Sequence, residues 1–189
     1  MKKGVKAFSV FVLILLFCYI IAIMFMPKVE KKYFYKLDFI ETVEICAEEN
    51  GLDKYLVFAV IKTESDFDEN ATSNVGARGL MQIMPDAYDW VKFRKNDKRD
   101  LTFDDMYDAK INIEYGTFLL GFLYERYGDL RLAVAAYHGG MTQVDNWLKN
   151  EEYSSDGKTL EKIPSDVTAH YVNKVIKNYE AYINLYDNE

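Results

Sequence analysis

Residues 55–85 read YLVFAVIKTESDFDENATSNVGARGLMQIMP. The first seven residues are almost continuously apolar, which predicts a helix that is buried on most of its sides. Asp53 lies just before this run and is placed to cap the helix. A polar loop with Gly76 and Gly79 follows, and Pro85 opens another helix. The stretch therefore predicts a buried helix that leads into a long loop rich in turns.

Glu64 ends this apolar helix. Val57, Val60 and Ile61 precede it by seven, four and three residues, so Glu64 shares their buried face. Burial and the negative end of the helix dipole both raise the pKa of a carboxyl group in this position. A carboxyl group with a raised pKa can act as a general acid near neutral pH. From position alone, a solvated glutamate at a fraying helix end stays open as the alternative interpretation.

The rest of residues 37–189 has the apolar spacing of helices, with almost no alternating runs. This pattern predicts one all-α domain without internal repeats. The predicted helices cover residues 37–47, 55–64, 85–90, 108–127, 130–138, 143–148 and the segment from Pro164 onward. Residues 93–100 are charged and are predicted to form a surface excursion.

The composition limits the class of protein. The chain has 189 residues, of which 50% are hydrophobic and 28% charged, so it is a folded protein of one domain plus a short extra segment. Cys18 lies in the apolar N-terminal run, which is predicted to sit in lipid, and Cys46 lies in a predicted helix of the body. The two cysteines are therefore not expected to form a disulfide. Two cysteines with two histidines make a poor zinc set, and no phosphate-binding loop is present. No metal and no cofactor are expected.

The net charge of −7 is unevenly distributed. The first 32 residues hold six lysines and one glutamate, so the remainder is strongly acidic. An acidic body repels phosphate backbones, and nucleic acid is therefore excluded as an expected partner.

The N-terminal segment contains a long uncharged run. Residues 7–26 read AFSVFVLILLFCYIIAIMFM and follow the basic flank MKKGVK. About 20 apolar residues span a bilayer as a helix, so residues 1–27 are predicted to be a cytoplasmic tail and a transmembrane anchor. Residues 28–36 then form a short polar and aromatic linker. A cleaved signal peptide is the alternative, but this run is longer than such segments and lacks a small-residue cleavage site.

Further motifs follow Glu64-Ser65 in a fixed order. They are GLMQIMP at residues 79–85, Asn112-Ile113 with Gly116, AAYHGG at residues 135–140, and Ile163-Pro164 with Thr168 and Tyr171. Together they resemble the lytic transglycosylases of the SLT (soluble lytic transglycosylase) family, whose domain has a lysozyme-like fold and cuts peptidoglycan. The resemblance covers nearly all of the chain beyond the N-terminal segment.

This resemblance implies both an activity and a set of site residues. The activity is cleavage of the β-1,4 bond between N-acetylmuramic acid and N-acetylglucosamine, leaving 1,6-anhydro ends, with Glu64 as the single acid and base. Peptidoglycan strands are the expected partner, and the anchored domain is expected outside the cytoplasm, facing the cell wall. The implied substrate-binding residues are Ser73, Gln82, Met84, Tyr137, His138 and Tyr171.

The chain departs from the family pattern at a few positions. His138 stands where the family usually has asparagine, and it either binds an N-acetyl group with a new pH dependence or is a tolerated change. Near the last motif, Ser165 and Val167 replace the usual phenylalanine and glutamate. That end of the cleft is expected to bind sugar or stem peptide differently.

Other functions stay open at this point. A hydrolytic lysozyme of the same fold needs a second carboxylate, and Asp66, Asp68 and Asp86 lie near the motifs. The first two also suit loop capping, and Asp86 suits the first turn of a helix. The remaining alternatives are a non-catalytic, membrane-anchored peptidoglycan-binding module and an anchored adaptor without a role on glycans.

Overall fold

The computed structural model describes residues 2–187, without the side chains of residues 2–10, 13, 22, 27 and 32. The chain forms two compact units, Met1–Lys36 and Leu37–Glu189. The first unit consists of helix α1, Lys2–Val29, and a π-helical turn, Glu30–Phe34.

The prediction of a transmembrane anchor at residues 1–27 is wrong. A helix needs about 20 consecutive apolar residues to cross the hydrocarbon core of a bilayer. In the part of the chain that the structure describes, no helix combines that length with that apolarity. The cytoplasmic tail that was predicted ahead of the anchor falls on Met1 and on side chains that lie outside the described residues.

The second unit is helical, which confirms the all-α prediction for this part of the chain. A 3₁₀ turn, Phe103–Tyr107, precedes the helix that begins at Ala109. The helices described in this unit are α2 (Ile40–Glu49), α3 (Lys54–Glu64), α4 (Pro85–Arg94), α5 (Ala109–Tyr127), α6 (Leu130–Gly139), α7 (Met141–Leu148) and α8 (Asp166–Tyr186).

Helix α3 forms the centre of the core. Asp53 accepts a hydrogen bond from Tyr55 N at 2.8 Å and caps its N-terminus. All residues from Tyr55 to Ile61 are buried, as the apolar run predicts. The helix packs against α2 on one side and against α8 on another. The buried residues of α8 that share this core are Val172, Val175 and Tyr182.

Helices α5 and α6 are joined by a tight connection. Gly128 ends α5 with a φ of 60°, in the left-handed region that suits glycine. Asp129 then caps α6 by accepting a hydrogen bond from Leu132 N at 2.8 Å. Helix α6 packs against both α5 and α8. This arrangement brings the C-terminal end of α6 next to the end of α3.

Asn112 of α5 helps to hold the loop between α3 and α4, and its side chain is fully inaccessible to solvent. Met81 N donates to Asn112 Oδ1 at 2.8 Å. Asn112 Nδ2 donates to Arg78 O at 2.9 Å and to Met106 O at 2.8 Å. A single amide therefore satisfies three backbone groups from two separate segments.

Two glycines of the motifs are required by this close packing. Gly79 has a φ of 75°, and a Cβ atom there would overlap Met106 O and the Asn112 amide. At Gly116 of α5, a Cβ atom would overlap the side chain of Met81. Any larger residue at either position would push the loop away from α5.

We expect Asn112→Ala to lower the free energy of unfolding of the full chain by about 3 kcal/mol, because Met81 N and Met106 O lose their partner and Arg78 O keeps only its hydrogen bond from Ile83 N. Urea denaturation at neutral pH measures the change. Asn173→Ala is the matched control, since Asn173 is an exposed asparagine, and it should change stability by less than about 0.5 kcal/mol. Equal effects of the two substitutions would contradict the role assigned to Asn112.

Candidate active site

Glu64 is the last residue of α3, and its partly buried side chain contacts α8. Tyr171 Oη donates a hydrogen bond to Glu64 Oε1 at 2.5 Å. Helix α8 also holds the residue before Glu64: Lys174 Nζ donates to Thr63 O at 3.2 Å, and Asn178 Nδ2 donates to Thr63 Oγ1 at 2.9 Å. The position of the Glu64 carboxyl group is therefore set from a helix more than 100 residues away in sequence.

The environment of Glu64 raises the pKa of its carboxyl group from 4.5 to about 7. Burial is the largest cause, because it disfavours the charged form. The hydrogen bond from Tyr171 and the positive charge of Lys174 both lower the pKa and limit the rise. Near neutral pH, Glu64 thus populates both its protonated and its ionised form.

Tyr137 of α6 makes a further contact that holds the loop between α3 and α4. Its Oη atom donates to Met81 O at 2.8 Å. Burial and the nearby charge of Glu64 raise the pKa of Tyr137 well above its ordinary value. The hydroxyl group therefore stays protonated and remains a donor to the loop.

His138, the next residue of α6, packs against Tyr171. The two ring centroids are 4.5 Å apart and the planes are inclined by 31°. His138 Nδ1 lies 3.3 Å from Thr168 Oγ1. Partial burial lowers the pKa of the imidazole below its ordinary 6.5, so the ring is neutral at pH 7. A neutral imidazole has one donor and one acceptor nitrogen. An asparagine amide likewise offers a donor group and an acceptor atom.

Ser73 and Gln82 brace the loop itself. Ser73 Oγ accepts from Ala77 N at 2.9 Å. Gln82 has a φ of 48°, and its Nε2 atom donates to Ala71 O at 3.1 Å and to Gly79 O at 3.0 Å. The donor side of the Gln82 amide is thus used within the loop. Neither the Ser73 nor the Gln82 side chain hydrogen-bonds to Glu64.

A cleft of about 520 Å³ lies between α4, α5 and the turn from α6 to α7. Of the residues implied by the resemblance, Met84, Tyr137 and His138 line it. Trp90, Leu119 and Met141 also line it, and no sequence motif indicated a role for them. Their side chains are apolar like those of core residues, so the sequence does not distinguish them as residues of a cleft.

The supporting residues Asn112, Thr63 and Lys174 were likewise missed as parts of the site. Asn112 belongs to one of the sequence motifs, and a buried asparagine that interrupts the apolar face of a helix was the available signal. Nothing in the sequence marks Thr63 or Lys174, because their contact joins two helices that are distant along the chain.

The three aspartates near the motifs differ in position. Asp66 is exposed and pairs with Lys62 Nζ at 2.9 Å, and Asp68 caps its own loop by accepting from Asn70 N at 2.9 Å. Asp86 lies in the first turn of α4 and borders the cleft, although no reason for this was found in the sequence. Among the described residues, no group of three or more His, Cys, Asp or Glu side chains is arranged to hold a metal ion.

Comparison with known proteins agrees with this arrangement. The family model of the transglycosylase SLT domain matches residues 41–160. The chain belongs to this family. This confirms the resemblance that the sequence motifs carried, and the helical fold of residues 37–189 is the fold of an SLT domain.

Several relatives are lytic transglycosylases by name. The transglycosylase of Enterobacteria phage PRD1 is 37% identical over 123 residues, which are 65% of this chain and 42% of the phage protein. The soluble lytic murein transglycosylase of Salmonella typhimurium is 38% identical over 128 residues, which are 66% of this chain and 19% of that protein. The SLT domain described here therefore spans less than half the length of these relatives.

Two solved structures share the fold. An inactive Glu-to-Gln mutant of the lytic transglycosylase Slt from Pseudomonas aeruginosa has a TM-score of 0.69 and 30% identity, over 79% of this chain and 24% of that one. The 70-kDa soluble lytic transglycosylase of Escherichia coli has a TM-score of 0.72 and 26% identity, over 79% of this chain and 25% of that one.

We expect Glu64→Gln to be more stable than the wild type at alkaline pH. The folded protein raises the pKa of Glu64 from 4.5 to about 7, so ionisation destabilises the fold. This penalty is absent below about pH 4.5, grows as the pH rises and is complete above about pH 7. The amide keeps the acceptor for Tyr171 but carries no charge.

Urea denaturation of both proteins at about pH 4 and pH 8 measures this difference. The gain should be near zero at the lower pH and on the order of 1–3 kcal/mol at the higher pH. Glu48→Gln, at an exposed glutamate of α2, is the matched control and should show no such change with pH. A pH-independent difference for Glu64→Gln would contradict the assigned environment.

Proposed function

We propose that residues 37–189 form the catalytic domain of a peptidoglycan lytic transglycosylase in which Glu64 is the single acid and base. The observation that supports this most directly is the Glu64 carboxyl group at the end of α3, in hydrogen bond to Tyr171 and with a pKa of about 7. Membership of the SLT family and the names of the relatives supply the reaction class.

In the first step, protonated Glu64 donates its proton to the glycosidic oxygen between N-acetylmuramic acid and N-acetylglucosamine. The bond from the anomeric carbon to that oxygen breaks, and an oxocarbenium-like centre develops. Burial favours the protonated form that this step needs. Tyr171 donates to Oε1, which leaves Oε2 for the proton transfer and stabilises the carboxylate that results.

In the second step, ionised Glu64 accepts the proton of the 6-hydroxyl group of the same N-acetylmuramic acid. The hydroxyl oxygen attacks the anomeric carbon and closes a 1,6-anhydro ring. Glu64 is protonated again at the end, so the cycle consumes no water and needs no second carboxylate. A pKa near the working pH lets one group serve in both steps.

The other site residues act around this centre in the proposal. Met84, Tyr137 and His138 form one wall of the cleft that holds the glycan strand. Ser73 and Gln82 keep the loop in shape, and Gln82 is left with its Oε1 atom as the acceptor toward substrate. His138 takes the place of the family's asparagine opposite an N-acetyl group.

The substrate also bears on where the domain works. Peptidoglycan lies outside the cytoplasm, so we place the catalytic domain there, facing the cell wall. Relatives differ in this respect, because some are named soluble and others membrane-bound lytic murein transglycosylases.

Full-length protein should release muropeptides with 1,6-anhydro ends from purified peptidoglycan, each lighter by one water molecule than the hydrolysed form. Glu64→Gln should release them more slowly by at least about 10²-fold, because the amide has no transferable proton. Mass spectrometry of the products and a timed turbidity assay measure both effects.

The alternatives give different results in the same assays. Asp86 borders the cleft, which favours a hydrolytic lysozyme as the second candidate. That enzyme would yield reducing ends, and Asp86→Asn would abolish its activity, whereas a transglycosylase should keep most of its rate. A binding module would bind peptidoglycan equally well as wild type and as Glu64→Gln, and neither protein would cleave it.

We expect His138→Asn to alter activity only on the acid side. The pKa of His138 lies below 6.5, so wild type should lose rate relative to the variant as the pH falls through that range, when the ring loses its acceptor nitrogen. The ratio of the two rates, from about pH 5 to pH 8, is the measurement. His170→Asn is the control at an exposed histidine of α8. A constant ratio would exclude His138 from the pH response.

A further inference from the structure

One face of α8 makes three hydrogen bonds to the C-terminal end of α3. Tyr171, Lys174 and Asn178 are spaced three and four residues apart, so they project from the same side of the helix. Tyr171 contacts the carboxyl group of Glu64, and the other two contact the backbone and the side chain of Thr63. The last turn of the catalytic helix is thus held at three atoms by one helix face.

Of the three residues, Lys174 is the one that places a positive charge at the C-terminal end of α3. The carbonyl groups in the last turn of a helix lack partners within the helix and carry the negative end of its dipole. Lys174 Nζ donates to one of them, Thr63 O, at 3.2 Å. An ammonium group bound there offsets the dipole at the point where Glu64 must carry a negative charge.

The other groups around Glu64 differ from Lys174 in charge. Tyr171 of α8 and Tyr137 of α6 are phenols whose pKa values lie well above 10, so they are neutral. His138 of α6 packs on Tyr171 and is neutral at pH 7. Lys62 of α3 itself pairs with Asp66 in the loop that follows. Among the described residues, Lys174 is the cation whose charge lowers the pKa of the Glu64 carboxyl group.

We propose that Lys174 is a positioning residue for the reaction: its ammonium group, held on Thr63 O, stabilises the carboxylate of Glu64 between the two proton transfers. The inference rests on the function proposed above, because that function requires Glu64 to pass through an ionised state inside a partly buried site. Burial favours the acid form, and Lys174 makes the release of the proton less unfavourable.

The direct test is a ¹³C-NMR titration of the Glu64 carboxyl carbon in the full-length protein, assigned by its loss in Glu64→Gln. Lys174→Met should raise the pKa of Glu64 by about half a pH unit, a small change because Lys174 is exposed and water screens its charge. Lys174→Arg should stay within the error of wild type. Lys177→Met removes an exposed lysine of the same helix and is the matched control.

Two further measurements separate charge from structure. Added salt should shrink the difference between wild type and Lys174→Met, because exposed charges are screened over about 10 Å at 0.1 M ionic strength. The alkaline limb of the pH–activity profile should move upward by the same amount as the titration, since that limb follows the loss of the acid form of Glu64.

Each failure has a distinct meaning. The proposal is overturned if wild type and Lys174→Met titrate equally, or if Lys177→Met shows the same shift as Lys174→Met. A shift of the same size in Lys174→Arg would also overturn it. A titration shift without movement of the alkaline limb would remove Lys174 from the reaction. Wild-type protein that does not cleave peptidoglycan would instead overturn the proposed function, which the titration does not depend on.

Discussion

The hydrogen bond from Tyr171 to Glu64 is the contact on which the rest of the site depends. It joins the C-terminal end of α3 to α8 at 2.5 Å, across 107 positions in the sequence. A carboxyl group at the end of an apolar helix would otherwise either rotate to solvent or remain protonated in the interior. The phenol donates a hydrogen bond to one oxygen atom of the carboxyl group and so fixes the direction of the other. Precise placement of this kind is what a single acid and base requires.

The electrostatics of the site are a balance between opposed effects. Burial raises the pKa of Glu64 strongly, while the hydrogen bond from Tyr171 and the charge of Lys174 hold the rise to about 7. Burial alone would favour the neutral carboxyl group at neutral pH, and the other two effects alone would favour the charged one. The balance connects the two proposals, because an acid that becomes a base within one cycle needs both forms within reach.

The cleft depends on a second buried contact, which has no chemical role of its own. Asn112 Oδ1 accepts a hydrogen bond from Met81 N and so joins the loop to α5, and Met81 O accepts a hydrogen bond from the hydroxyl group of Tyr137. The backbone of the loop thus connects the asparagine in the core to the tyrosine in the wall of the cleft. Gly79 and Gly116 are the positions where this connection leaves no space for a side chain. The motif glycines and the motif asparagine are therefore one packing unit.

The sequence by itself determined the all-α class, the burial of α3 and the position of Glu64 at its end, because helical periodicity and apolarity are local properties of the chain. It also carried the family, through short motifs in a fixed order. The same local reasoning failed at residues 7–26, where hydropathy predicted a transmembrane helix that the described structure does not contain. Only the tertiary structure decided that Thr63, Lys174 and Asn112 belong to the site and that Asp86 borders the cleft. Those assignments depend on which helix faces lie against each other, and that information is spread over residues far apart in the chain rather than held by any one segment.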